Sequence, residues 1–161
     1  MQQKQISFSY EEYDSDQELS QTDLFLLRTA REVTCNAYAP YSHFMVGTAA
    51  RLQNGKIITG TNQENASFPA GICAERTLLS VAAALYPGIA IEALAISYRN
   101  ERGASDRPIS PCGICRQSLE EYEHRTAMGI RLIMGGISGK IVVVPHAGLL
   151  LPFAFSADEL G

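Results

Sequence analysis

The sequence predicts an α/β protein: a three-layer α-β-α sandwich around a five-stranded mixed sheet whose last two strands run antiparallel. Three observations lead there. Segments of helical and extended periodicity follow one another in the order α-β-β-α-β-α-β-β. An Asn54-Gly55 pair separates two extended runs, which is the strongest short hairpin signal a sequence carries. Only about five residues separate the last two strands, whereas a parallel crossover needs a dozen or more.

Taken in order, residues 1–19 read as a polar, acidic extension. Within it Ile6, Phe8 and Tyr10 alternate, the pattern of a short edge strand. A single domain is expected over residues 20–161. Its first helix starts near Ser20, where "SQTD" offers a capping-box-like entry. Leu24, Leu27, Ala30, Val33 and Ala37 follow at helical spacing, and Pro40 ends the run. "FMVGTAARLQ" and "KIITGTN" flank the Asn54-Gly55 turn as a hairpin. After the loop "NQENASFPAG", a helix runs from Cys73 to Leu85 and stops at "YPG". "EALAISY" reads as a buried strand. "PCGICRQSLEEYEH" reads as a helix with Pro111 in its first turn, a favoured entry position. "IRLIMGG" and "KIVVV" are the closing strands. One helical turn at 147–150 and an irregular tail complete the chain.

Of the 161 residues 46% are apolar and 19% charged, the balance of a folded chain rather than a disordered one. The net charge of −4 gives no long-range attraction for phosphate backbones, which argues against nucleic acid as a partner. No uninterrupted apolar run approaches the roughly 18 residues of a membrane span. The N-terminus lacks the apolar core of a signal peptide. A cytoplasmic location is the expectation. In that reducing setting the four cysteines read as metal ligands, a nucleophile or buried thiols rather than a disulfide framework.

Cys73, Cys112 and Cys115 carry the chemistry. Cys112 and Cys115 form a Cys-x-x-Cys pair at a helix start, which puts both sulfurs on one face. Cys73 begins another helix. Helix N-termini present unpaired N–H groups and the positive end of the helix dipole, and both favour thiolate. Two helix starts can therefore converge on one metal. Three ligands without a fourth match a catalytic zinc site, which keeps one position for water, rather than a closed structural one. Glu75 lies in the first turn beside Cys73, placed to take a proton from that water and return it.

Other assignments stand beside this one. Cys-x-x-Cys alone also suits a redox pair, and Cys73 alone suits a small core position. Four protein ligands with no adjacent carboxylate would instead mark a structural zinc module. Cys35, inside the first predicted helix, is expected to be a buried thiol. His43, His124 and His146 have no mutual ligand spacing and are expected in structural or surface roles.

"CAER", followed about 40 residues later by "PCGICRQ", resembles the zinc-dependent cytidine deaminase family. Cysteine rather than histidine at position 73 resembles its small homotetrameric, three-cysteine branch, which acts on nucleosides. The resemblance runs from about Asp23 to the C-terminus. It implies one zinc per subunit, held by Cys73, Cys112 and Cys115, with Glu75 as proton shuttle. Arg76 would offset the thiolate charge by hydrogen bonding to the sulfurs.

"YSHFMVG" is similar to the segment after the family's first helix, so Phe44 would stack on the pyrimidine. "NQENASF" is similar to the ribose-binding stretch, so Asn62 and Glu64 would bond the sugar hydroxyls. "LLLPFAFSADEL" resembles a C-terminal segment that covers a neighbouring subunit's site. Phe155 aligns best with the covering aromatic, and Phe153 is the alternative. Phe68 stands where the family often has Tyr. The implied activity is hydrolytic deamination of cytidine and 2'-deoxycytidine in pyrimidine salvage. A relative acting on a modified cytosine nucleoside such as blasticidin S is the alternative.

Overall fold

A computed structural model describes residues 1–160. Nine regular elements form it: strands β1 (Glu11–Tyr13), β2 (Phe44–Leu52), β3 (Ile57–Thr61), β4 (Ile91–Asn100), β5 (Arg131–Gly135) and β6 (Ile141–Val144), and helices α1 (Gln21–Val33), α2 (Ala74–Leu85) and α3 (Gly113–Thr126). The strands make one sheet in the order β1-β6-β5-β4-β2-β3. Only β4 and β5 pair in parallel. The hairpin β2–β3 turns at Asn54-Gly55, with Gly55 at φ 78, and the last two strands are antiparallel as their short link requires.

The sheet has six strands, not five. The extra one is β1, which pairs with the free edge of β6 (Glu11 with Val143, Tyr13 with Ile141). It lies just beyond the alternating Ile6–Tyr10 segment, which is not a strand. Its side chains give no alternating signal; besides its backbone pairing and Tyr13 packed against the α1 core, ion pairs hold it. Arg131 Nη2 donates to Glu11 (2.9 Å) and also pairs with Asp23 of α1 (3.2 Å). Lys140 pairs with Glu12 and Asp14.

Helices cover both faces, which makes the expected three layers. Leu26, Leu27 and Ala30 of α1 pack on Ala49, Ala93, Ala95, Ile133 and Val143. The small alanines let α1 lie close to the sheet. At Gly47 an added Cβ would stand 2.2 Å from the Ala30 carbonyl oxygen. The strand residues that alternate with these face the other way. Ala50, Leu52, Ile58, Leu94, Ile96 and Leu132 pack with Leu78, Leu79 and Ala82 of α2 and Leu119 and Tyr122 of α3. Period-two alternation in each strand therefore feeds two cores.

Helix starts match the expected positions, with small shifts. Ser20 caps α1 by accepting from the Asp23 N–H (3.2 Å). The helix tightens into a 3-10 turn at Thr34–Asn36. Cys35 lies in that turn and is exposed, not buried in a helix. Pro111 precedes the N-cap Cys112 rather than sitting in the first turn of α3. The turn at Ala147–Leu150 is present as a 3-10 helix.

Candidate metal centre

Cys73 is the N-cap residue of α2 and Cys112 the N-cap residue of α3, both with extended backbone. Neither N-cap side chain accepts a hydrogen bond from its helix, so the sulfurs stay free for other partners. Cys115 sits one turn into α3 and is fully buried. The starts of the two helices meet there. Cys73 Sγ lies 3.7 Å from Cys112 Sγ, and Cys112 Sγ lies 3.4 Å from Cys115 Sγ. All three sulfurs fall within 4.8 Å of one another.

Those spacings distinguish between the possible partners. A disulfide would bring two sulfurs to about 2.05 Å, and none is formed. Zinc at about 2.3 Å from each sulfur places tetrahedral ligands about 3.8 Å apart, close to what is seen. The three thiols fit the ion and leave a fourth direction open.

The start of α2 is held from the sheet. Buried Thr48 of β2 donates from its hydroxyl to the carbonyls of Gly60 (3.0 Å) and Ala74 (3.2 Å). Gly60 lets the helix approach, because a Cβ there would meet Ala74 O and Leu78 N at 2.6 Å. Thr77 closes the first turn onto the Cys73 carbonyl (3.2 Å).

Charge is unusual at this point. The Cys73 thiol is pulled down to about 6, first by the hydrogen bond from Cys115, then by Cys112 and the positive charge of Arg76. Cys115, buried beside it, is pushed up. Glu75 is only 5% exposed. Burial pushes its carboxyl up, and the Cys73 charge adds to that. Glu75 lies in the first turn of the helix that Cys73 caps, so its buried carboxylate belongs to the same helix start as that ligand. Arg76 acts on Cys73 through its charge. Among the described residues no hydrogen bond joins its guanidinium to a sulfur.

The other expected residues form a second group, tied to the first by backbone. Gln63 and Ile72 exchange two hydrogen bonds (2.9 and 3.0 Å), so residues 62–64 run beside the residue that precedes Cys73. The Asn62 side chain points back onto β2. It donates to Phe44 O (2.9 Å) and accepts from Val46 N–H (2.7 Å). The Glu64 carboxylate accepts from the N–H groups of Tyr41 (2.9 Å) and Ser42 (3.3 Å). The Ser42 hydroxyl bond holds its pKa below the usual carboxylate range. A cleft of about 210 Å³ opens beside it, lined by Tyr41, Glu64, Asn65, Phe68 and Gly71. Phe44 stacks on Tyr98 of β4 at 4.8 Å and 15°. Nothing in the sequence marked Tyr98 as its partner, because cross-strand register decides that contact.

Phe155 lies apart from this group, with its carbonyl accepting from Gln117 Nε2 on α3 (2.8 Å). The histidines, expected in structural or surface roles, lie outside the sulfur cluster. His43 pairs with Glu101 (3.0 Å), His124 lies 3.5 Å from Asp158, and the His146 ring packs against Gly129.

A family model described as "Cytidine and deoxycytidylate deaminase zinc-binding region" matches residues 20–129, a span that includes all three cysteines and Glu75. The chain belongs to this family. Among similar members, a cytidine deaminase of Halalkalibacterium halodurans is 35% identical over 135 residues, 84% of this chain and 95% of its own. A cytidine deaminase of Mycobacterium tuberculosis is 33% identical, covering 81% of this chain and 87% of its own. The crystal structure of a cytidine deaminase from Burkholderia pseudomallei superposes with a TM-score of 0.71 at 36% identity, over 85% of this chain and all of that one. A blasticidin-S deaminase of Bacillus cereus is 32% identical over 108 residues, 65% of this chain and 75% of its own. Membership in the deaminase family accounts for the sulfur cluster, so the metal of this chain is zinc.

Proposed function

We propose that the protein is a cytidine deaminase that hydrolyses cytidine and 2'-deoxycytidine to uridine and 2'-deoxyuridine, releasing ammonia in pyrimidine salvage. The observation that carries this is a buried carboxylate, Glu75, in the first turn after Cys73, together with three thiols spaced for one zinc ion at two helix starts. Cys73, Cys112 and Cys115 hold the metal. When bound, zinc supplies Lewis acidity that brings the pKa of a water toward neutrality.

Glu75 does the proton work. It accepts a proton from water and delivers it to ring N3 as the water oxygen bonds to C4. It then carries the second water proton to the exocyclic amine. The C4–N bond breaks, ammonia leaves and the carbonyl remains. One carboxylate thus acts as base and then as acid, and a buried, water-poor setting keeps its protons on this path. Arg76 offsets the excess negative charge of three thiolates.

Phe44, already stacked on Tyr98, offers its free face to the pyrimidine. Asn62 and Glu64 bond the sugar hydroxyls with the capacity left over from their backbone contacts. Phe155 covers the site of a neighbouring subunit, with Phe153 as the alternative, in a homotetramer of composite sites. A cytoplasmic location suits a nucleoside substrate, and no helix among the described residues is long and apolar enough to cross a membrane. Residues 1–19 act as an extension to the catalytic domain of 20–161.

Glu75→Gln tests the assignment of the shuttle. The variant keeps its fold and its zinc and loses about 10³-fold or more in kcat, the upper range for general acid–base groups. Near-normal turnover in that variant sinks the assignment. Assaying blasticidin S beside cytidine decides between the two substrate classes. Asn62, Glu64 and Phe44 support the plain nucleoside.

A further inference from the structure

The C-terminal segment is laid along α3 as a loop that climbs and returns. Near the C-terminal end of the helix, Glu123 accepts from the Gly148 N–H (3.0 Å). At the N-terminal end, Arg116 Nη1 donates to Leu150 O (3.1 Å) and Gln117 Nε2 to Phe155 O (2.8 Å). Asp158 then lies 3.5 Å from His124, back towards the helix C-terminus. The bend falls between the two clamps. Phe153 stands at its tip with φ 59 and 92% exposure. Positive φ is uncommon for a bulky residue, and here the chain is fastened on both sides of it.

Arg116 has a second grip. Its Nε donates to Pro111 O (2.9 Å), immediately before Cys112, and its own N–H donates to Cys112 O (2.9 Å). One side chain therefore binds the peptide that leads into the metal-ligand turn and the root of the tail. Gln117, the next residue, binds the far side of the same bend.

Resting on the deaminase function of the cysteine site, we propose that Arg116 and Gln117 are positioning residues. They clamp the loop carrying Phe153 and Phe155 to the metal-ligand turn of their own subunit. Each subunit's metal turn thereby sets the posture of the aromatic cover it presents to a second copy of the chain. The two bonds from the Arg116 side chain act one on each end, and the bond from Gln117 acts on the cover alone.

Kinetics of Gln117→Leu separate these effects. Losing one neutral hydrogen bond loosens the loop, and KM for cytidine rises about fivefold, more than kcat falls, with zinc content unchanged. Diluting Gln117→Leu subunits into an excess of Glu75→Gln subunits supplies the working sites with intact covers, and KM returns to the wild-type value. An unchanged KM overturns the clamp. So does a raised KM that persists in the hybrids, because the effect then lies within the variant's own site. Arg116→Met releases zinc to a chromophoric chelator about tenfold faster, as loss of groups behind metal ligands does, and an unchanged release rate overturns the metal half. If circular dichroism shows Arg116→Met unfolded, Arg116→Lys, which keeps charge but loses the forked contact, takes its place. Wild-type protein that holds zinc yet converts no cytidine sinks the deaminase function itself, whereas wild-type turnover with an unaltered Gln117→Leu sinks only the clamp.

Discussion

Gly60 illustrates how single residues set the cysteine geometry. It lies on β3 under the first turn of α2, where a side chain would collide with the Ala74 carbonyl and the Leu78 amide, both backbone atoms that cannot swing aside. Gly60→Ala therefore pushes α2 off the sheet and carries Cys73 with it. The expected cost is about 2 kcal/mol of stability, typical of overpacking, read as a lower denaturation midpoint with weaker zinc retention. A variant as stable as wild type would mean that α2 is not seated by this contact. The residues of the metal turn were legible in the sequence because their types and spacing are themselves the chemistry. The work of Asn62 was not, because its bonds to Phe44 and Val46 depend on strand register. Nor was the exposure of Cys35, which follows from α1 tightening three residues before the periodic pattern ends.

At the scale of elements, the hairpin, the three helices and the antiparallel end of the sheet followed from local signals: Asn54-Gly55, helix-start residues and loop length. β1 did not. Its three residues, Glu-Glu-Tyr, have no apolar alternation, and the partners that hold it, Arg131 and Lys140, lie more than a hundred positions away. Ion pairing also makes its docking sensitive to acid. Arg131, then Tyr13, lower the Glu11 pKa. A carboxyl lowered in the folded state supports docking fully at neutral pH and loses that support as pH falls through the lowered value. Cross-strand nuclear Overhauser effects between Glu11 and Val143 should fade in that acid range before the sheet core unfolds. Persistence of these contacts with Glu11 protonated would show that backbone pairing alone retains the strand.

The whole molecule leaves apolar side chains in water that a lone subunit has no use for. Leu85 and Ile114 are 66% and 64% exposed, at the end of one helix and the start of another, and Phe153 and Phe155 project from the tail. Large apolar side chains left exposed in this way are candidates for contacts between subunits. In solution the protein should run as a particle of about 70 kDa, four times its 17.5 kDa chain, and mass photometry distinguishes that from a monomer. The path of the tail along α3 could not be read from sequence, because it rests on backbone carbonyls that any residue type supplies.

The most direct measurement follows the ultraviolet absorbance of cytidine with purified, zinc-loaded protein while ammonia is counted. The account predicts loss of the cytidine band, one ammonia per uridine formed, arrest on removal of zinc by a chelator and recovery when zinc is returned. Zinc-loaded, folded protein that leaves cytidine and 2'-deoxycytidine unchanged would contradict it.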